Sequence, residues 1–145
     1  MVYFTADPNE AAAGGAAYLR DHGVEVDFQP VRVAALQPWL RSVRHGRPSV
    51  TLKFASTLDG FTAAADGTSK WITGEAAREQ VHEDRAKIDA IIVGTGTAIA
   101  DDPSLTARFP DGTLRQHQPR RVVIGSREVP DGNLSRLGFE QHATP

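Results

Sequence analysis

From Pro48 onward the chain alternates with a period of two. Val50, Leu52 and Phe54 share one face, and Thr51, Lys53 and Ala55 the other, before Asp59-Gly60 supplies turn chemistry. That pattern predicts a strand over residues 50–55. Two continuous apolar runs follow, one over residues 90–93 and one held within residues 121–124. They are too short for helices of their own and suit strands buried on both faces of a sheet. The stretch between them is too long for a hairpin. Between the first strand and the second, a helix over residues 74–86 is expected, with Thr73 as its cap and Glu75 in its first turn. These elements are expected to form one sheet with that helix packed on it.

Upstream, residues 9–22 are alanine-rich, follow Asp7-Pro8 and stop at Gly23, which predicts a helix. Val24 to Phe28 alternate like a half-buried strand. Leu36, Leu40 and Val43 fall at helical spacing with Trp39 alongside, predicting a connecting helix that ends near Gly46. Apart from a short Ala/Gly run over residues 11–17, the chain has no low-complexity tract and no internal repeat.

Composition narrows the function classes. With 145 residues, 40% hydrophobic content and a net charge of -2, the chain reads as an ordinary globular protein. It has no apolar run that would span a bilayer and no signal-peptide pattern. Near-neutral charge gives no reason to expect nucleic acid or an anionic membrane as partner, and Arg41, Arg44 and Arg47 read as the solvated face of a helix. The absence of cysteine excludes disulfides and cysteine-based zinc sites, and is compatible with a cytoplasmic protein.

Candidate chemistry gathers at the ends of the apolar segments. Lys53 points away from its strand's apolar stripe, as an exposed strand lysine or as a residue facing a cleft. Arg85 falls on the stripe formed by Ala77, Val81 and Ile88. An arginine there either snorkels to the surface or grips an anion. Gly94-Thr95-Gly96-Thr97 follows the second strand, as a plain glycine turn or as amides that receive a phosphate or carbonyl oxygen. It is no dinucleotide fingerprint, because the third glycine would fall at Ile99. The run Ala100-Asp101-Asp102-Pro103-Ser104-Leu105-Thr106-Ala107-Arg108 starts as turn chemistry and ends in a second arginine, a pairing suited to bidentate grip on one phosphate.

Taken together, VTLKFASTLDG, SKWITG, VHEDRAKIDAIIVGTGT and ADDPSLTAR resemble the reductase domain at the C-terminal end of the bifunctional riboflavin-biosynthesis deaminase-reductase family. The resemblance covers about two-thirds of the chain. It implies an α/β fold, a dihydrofolate-reductase-like mixed sheet with flanking helices, present here in incomplete form. Residues 1–46 would be the tail of the deaminase domain with a connecting helix, so that Met1 starts inside a domain, and residues 47–145 part of the reductase domain. The implied reaction is NADPH-dependent reduction of 5-amino-6-(5-phosphoribosylamino)uracil, with hydride delivered to the sugar's C1.

The implied roles are specific. Lys53 and Asp101 would be catalytic. Ala55, Trp71, Thr97, Asp101, Ser126 and Arg127 would meet the cofactor, with Ser126 and Arg127 near the 2'-phosphate that marks NADP. Ser69, Arg85, Leu105 and Arg108 would meet the phosphorylated pyrimidine ribosyl substrate, with Arg85, Arg108 and Ser69 converging on one cleft. No metal is expected, and the family's zinc deaminase chemistry is excluded for want of His-x-Glu and Pro-Cys-x-x-Cys. An unpaired sheet edge would call for a homo-oligomer or a complementing C-terminal half. The other readings are a noncatalytic nucleotide- or phosphate-binding remnant, and a dihydrofolate-reductase-like reductase of another pterin or pyrimidine.

Overall fold

The computed structural model describes residues 1–143. It divides into two compact units, Met1–Phe54 and the remainder from Ala55. No helix of the described residues is long and apolar enough to cross a membrane.

In the first unit, β1 (Val2–Tyr3) pairs in parallel with β2 (Asp27–Phe28), and the Tyr3 and Phe28 rings lie 4.8 Å apart across the ladder. The helix expected over residues 9–22 is split into a 3-10 turn, Glu10–Ala12, and α1, Gly15–Asp21. Gly14 takes a left-handed conformation with φ 92°, which interrupts the helix and which alanine at that position would resist. The strand expected over residues 24–28 begins only at Asp27, because the Val24 amide is still closing α1 against the Leu19 carbonyl. Helix α2 (Gln37–His45) ends at Gly46 as expected, burying Leu40 and leaving Arg41, Arg44 and Arg47 exposed.

Residues 50–55 do not form the expected strand. Val50, Leu52 and Phe54 are 88%, 83% and 68% exposed, and no ladder pairs this segment. Alternation specifies two faces, but a strand also needs a neighbour for its amides and carbonyls, and none of the described residues supplies one.

The second unit carries α3 (Glu75–Arg85), β3 (Ala90–Gly94), α4 (Thr95–Asp101), β4 (Arg120–Ile124), α5 (Asn133–Leu137) and β5 (Glu140–His142). Its sheet has the order β3-β4-β5, all parallel, with Ile91 opposite Arg121 and Val122 opposite Glu140. Helices join the strands, as parallel pairing requires. Ala98, Leu105, Val123 and Leu134 form the core, with Ile91, Val93, Val129 and Phe139 packed against them. That core lies on one side of the sheet only. The expectation of strands buried on both faces is therefore corrected: Ile92 is 57% exposed and Ile124 39%. Arg121, on the core side by register, donates to the Gly138 carbonyl at 2.8 Å and to that of Leu137, satisfying carbonyls at the end of α5.

Helix α3 departs from expectation in two ways. Its N-cap is Gly74 without a side-chain bond, and the Thr73 carbonyl instead accepts from Arg78 at 2.6 Å. Its half-buried positions are Arg78, Val81, His82, Glu83 and Arg85, while Ala77 is exposed. With no residue of α3 fully buried, apolar packing on the sheet gives way to polar bonds from His82 and Arg85 to Thr106.

Candidate functional site

The loop between α4 and β4 builds the most organised group of candidate side chains. Asp102, in a left-handed conformation with φ 40°, ends α4. Its carboxylate accepts from the Asn133 backbone amide at 2.7 Å and from Asn133 Nδ2 at 3.0 Å. This staples the loop to the start of α5. Leu105, Thr106 and Ala107 are then buried, at 5%, 3% and 0% exposure. Leu105 holds φ 51°, costly for a branched residue and sustained here by insertion of its side chain into the core. The chain next reverses through Phe109-Pro110-Asp111-Gly112. The Gly112 amide donates to Phe109, the Phe109 amide to Thr113, and Arg108 bridges Leu114 in antiparallel fashion. Gln118 braces the base of the turn, accepting from the Ala107 amide and donating to the Ala107 and Arg115 carbonyls.

That frame places Arg108 and Arg115 beside Arg85 and His82 of α3. Arg85 Nη1 donates to the Thr106 carbonyl at 3.1 Å, and His82 Nδ1 lies 3.0 Å from the same oxygen. Arg115 Nε donates to the Arg108 carbonyl at 3.1 Å, with its guanidinium 4.4 Å from the centre of the Phe109 ring. Burial, and then the charge of Arg108, pull the Arg85 guanidinium below its ordinary pKa, although it stays cationic. Burial also lowers the His82 pKa. The Thr106 bond opposes that shift, and Arg85, Arg108 and Arg115 reinforce it. Among the described residues no carboxylate forms an ion pair with any of the three arginines. The Arg85 Nε and Thr106 Oγ1 atoms are buried without partners. Positive charge without internal compensation suits an anion.

A second group sits where β3 and β4 end side by side. The expected glycine turn at residues 94–97 is instead the direct passage from β3 into α4, with Gly94 as the N-cap. Thr95 is 6% exposed, and its hydroxyl accepts from Arg127 Nε at 3.4 Å. A Cβ on Gly96 would lie 2.9 Å from Arg127 Nη2, and one on Gly125 would lie 2.6 Å from Thr95 Oγ1. Gly125, at φ 133°, therefore needs glycine for the buried threonine to fit, whereas the neighbour at Gly96 is the end of a flexible side chain that can shift. Gln141 of β5 holds the following loop by donating to the Gly125 and Arg127 carbonyls at 3.0 and 2.9 Å. Thr97, Asp101 and Ser126 are exposed nearby in sequence.

Ser69 and Trp71 line an open hollow of about 680 Å³ made by the loop over residues 57–72. Trp71 is 72% exposed, with the Arg78 guanidinium 4.6 Å from its ring centre. Lys53 is exposed on the unpaired segment of the first unit, and Ala55 is half-buried at the start of the second. The structure thus brings Arg85 to Arg108 and Arg127 to Thr95, while Leu105 serves the core. His82, Arg115 and Thr95 were not singled out from the sequence. His82 stands three positions before Arg85 on one helix face, and Pro110-Asp111-Gly112 is a turn that folds Arg115 back toward Arg108, so both carried a readable signal.

In class this is an α/β domain with a one-sided parallel sheet and arginines at a strand end and in the following loop. Residues 48–140 match the family model described as the RibD C-terminal domain, and the chain belongs to that family. It is 60% identical to the riboflavin biosynthesis protein RibD of Corynebacterium ammoniagenes, over 99% of this chain and 45% of that protein. It is 51% identical to the RibD of Mycobacterium tuberculosis, over 90% of this chain and 40% of that protein. A solved deaminase/5-amino-6-(5-phosphoribosylamino)uracil reductase from Thermotoga maritima superposes with a TM-score of 0.82 at 34% identity, covering 97% of this chain and 40% of its own. Acinetobacter baumannii RibD superposes with a TM-score of 0.74 at 36% identity, over 99% of this chain and 48% of its own. The chain therefore spans less than half the length of these relatives. Its fold is theirs, which bears out the α/β, dihydrofolate-reductase-like expectation.

Proposed function

We propose that this chain carries the first part of an NADPH-dependent 5-amino-6-(5-phosphoribosylamino)uracil reductase, with Arg85 and Arg108 gripping the substrate's ribose phosphate. The observation that supports this most is the cluster of Arg85, Arg108 and Arg115 with His82, which lacks any carboxylate partner among the described residues. A phosphate dianion offers the acceptors and charge that such a cluster lacks. Ser69 would hold the substrate from its loop, and Leu105 would shape the wall beside Arg108.

The residues present fit the cofactor as well. Arg127, whose guanidinium lies over Gly96 and bonds Thr95, would take the 2'-phosphate together with Ser126. Ala55, Trp71, Thr97 and Asp101 would line the rest of the cofactor's path. NADPH would supply the hydride; the chain's own contribution is orientation and charge complementarity. Asp101 would act at the reacting centre, and Lys53 would carry the catalytic role that the family resemblance implies. Residues 1–46 would belong to the deaminase side of the same gene product. Partnership with a second copy, or with a segment completing the sheet, and a cytoplasmic setting belong to the same proposal.

One observation favours a noncatalytic phosphate-binding role instead: Lys53 lies on a segment that forms no strand. Calorimetric titration with the phosphorylated pyrimidine and with its dephosphorylated nucleoside tests the phosphate assignment. The phosphorylated compound should bind more tightly, and R85K or R108K should remove about tenfold of that preference, the scale of one charge-assisted hydrogen bond. Equal affinity for the two compounds would overturn the assignment.

A further inference from the structure

We propose that His82 is the positioning residue that holds Arg85 in place for anion binding and takes up a proton when the anion arrives. This rests on the reading of Arg85 and Arg108 as phosphate ligands. His82 and Arg85, three residues apart on one face of α3, both end on a single backbone oxygen, that of Thr106, at 3.0 and 3.1 Å. A carbonyl oxygen has two lone pairs and can only accept, so His82 Nδ1 must carry its hydrogen and donate. The two bonds together use the whole accepting capacity of that oxygen. They fix α3 to the buried Leu105-Thr106-Ala107 segment at the point where Arg108 follows. Arg85 Nε is buried without a partner of its own, so the guanidinium is held at this point through its Nη1 bond to Thr106.

With Nδ1 committed to Thr106, proton exchange falls to Nε2. The charges acting on the ring are Arg85 from its own helix and Arg108 and Arg115 from the facing turn, and no carboxylate figures among them. Burial and then these cations favour the neutral imidazole while the cluster is empty. A bound dianion reverses the local sign, so the ring should then gain a proton, and by linkage the anion should bind more tightly as pH falls. His82 needs no contact with the anion for this.

The test uses inorganic sulfate, which remains a dianion throughout the working range, with the full chain and its variants. Affinity is read by calorimetry and the His82 ring by NMR between about pH 5 and pH 8. In the wild-type chain, sulfate should bind about two- to fivefold more tightly at the acid end, the scale of a partly exposed ion pair, and should shift the His82 titration to higher pH. H82N places an amide donor where Nδ1 stood. It should bind sulfate nearly as well as wild type at the alkaline end but lose the pH dependence. H82L lacks both the donor and the titrating ring, and should lose about tenfold at the alkaline end with a flat pH profile. Should H82L fail to show the wild-type urea midpoint, H82N decides alone: a flat profile supports the inference and a wild-type slope overturns it. If R85K and R108K weaken sulfate while both His82 variants bind like wild type, His82 is idle and the phosphate reading stands. If R85K and R108K leave sulfate binding untouched, the phosphate reading itself fails and the inference with it; adventitious binding elsewhere is then the remaining account.

Discussion

Two loops of the second unit carry candidate site residues, and they hold them by different means. The loop over residues 57–72, with Ser69 and Trp71, is tied by bonds to itself: Thr57 to Asp59 and Phe61, Ala64 to Thr68, and Asp66 to Thr68. None of its residues is buried. The loop over residues 102–118, with Arg108 and Arg115, has three buried residues in succession and is bonded to α3 and α5, elements distant in sequence. The first can order around a ligand at an entropic cost. The second is preorganised, so binding energy is not spent on arranging it. An arginine cluster is self-repelling, and only the anchored loop could hold one together without an anion.

The sharpest way to break this contrast is to cut the core that supports the anchored loop. L134A, at a site 1% exposed, should lower unfolding free energy by about 2–5 kcal/mol. L52A, at a site 83% exposed, should change it by no more than about 0.5 kcal/mol. Urea denaturation checks both, and a large effect of L52A would mean that the apolar face of residues 50–55 is covered in solution. Next in size is the loop staple. G132A sets a Cβ against the Asp102 carboxylate, and overpacking there should cost about 1–3 kcal/mol and weaken phosphate binding through the displaced loop. D102A should cost about 0.5–2 kcal/mol, since the Asn133 amide at the start of α5 loses its acceptor. Neither change should disturb the 57–72 loop, as chemical-shift comparison would reveal.

A smaller effect separates the loops by pH. The folded-state pKa of His82 is lowered, so the unfolded chain binds more protons between that value and the ordinary histidine value near 6.5. Stability should therefore be fully present above about pH 6.5 and decline as pH falls toward the folded-state pKa. The H82N chain should lack this decline. Unfolding midpoints measured across that window would show it.

The same contrast marks how much was legible in the sequence. The runs at residues 90–93 and 121–124 became β3 and β4 because continuous apolar strands suit a parallel ladder, and both sides of that ladder lie within the chain. The alternation at residues 50–55 was equally plain, yet pairing is a property of two segments and a pattern in one cannot supply the other. Arg85 and Arg108 were readable from spacing and family motif, and the fold brings them together. Thr95, bonded by Arg127, had no signal of its own, because its place depends on a glycine thirty residues on, Gly125, making room for it. Thr106 was equally silent, since its importance lies in a backbone carbonyl that any residue possesses.

The measurement that bears most directly on the central claim is an amide chemical-shift map of the chain titrated with ribose 5-phosphate. A phosphate seat built by the anchored loop predicts that the saturating shifts concentrate at His82, Arg85, Thr106, Arg108 and Arg115, and that R85K moves their common midpoint to about tenfold higher ligand concentration. Shifts concentrated instead in residues 57–72, or spread without saturation over the exposed surface, would contradict it.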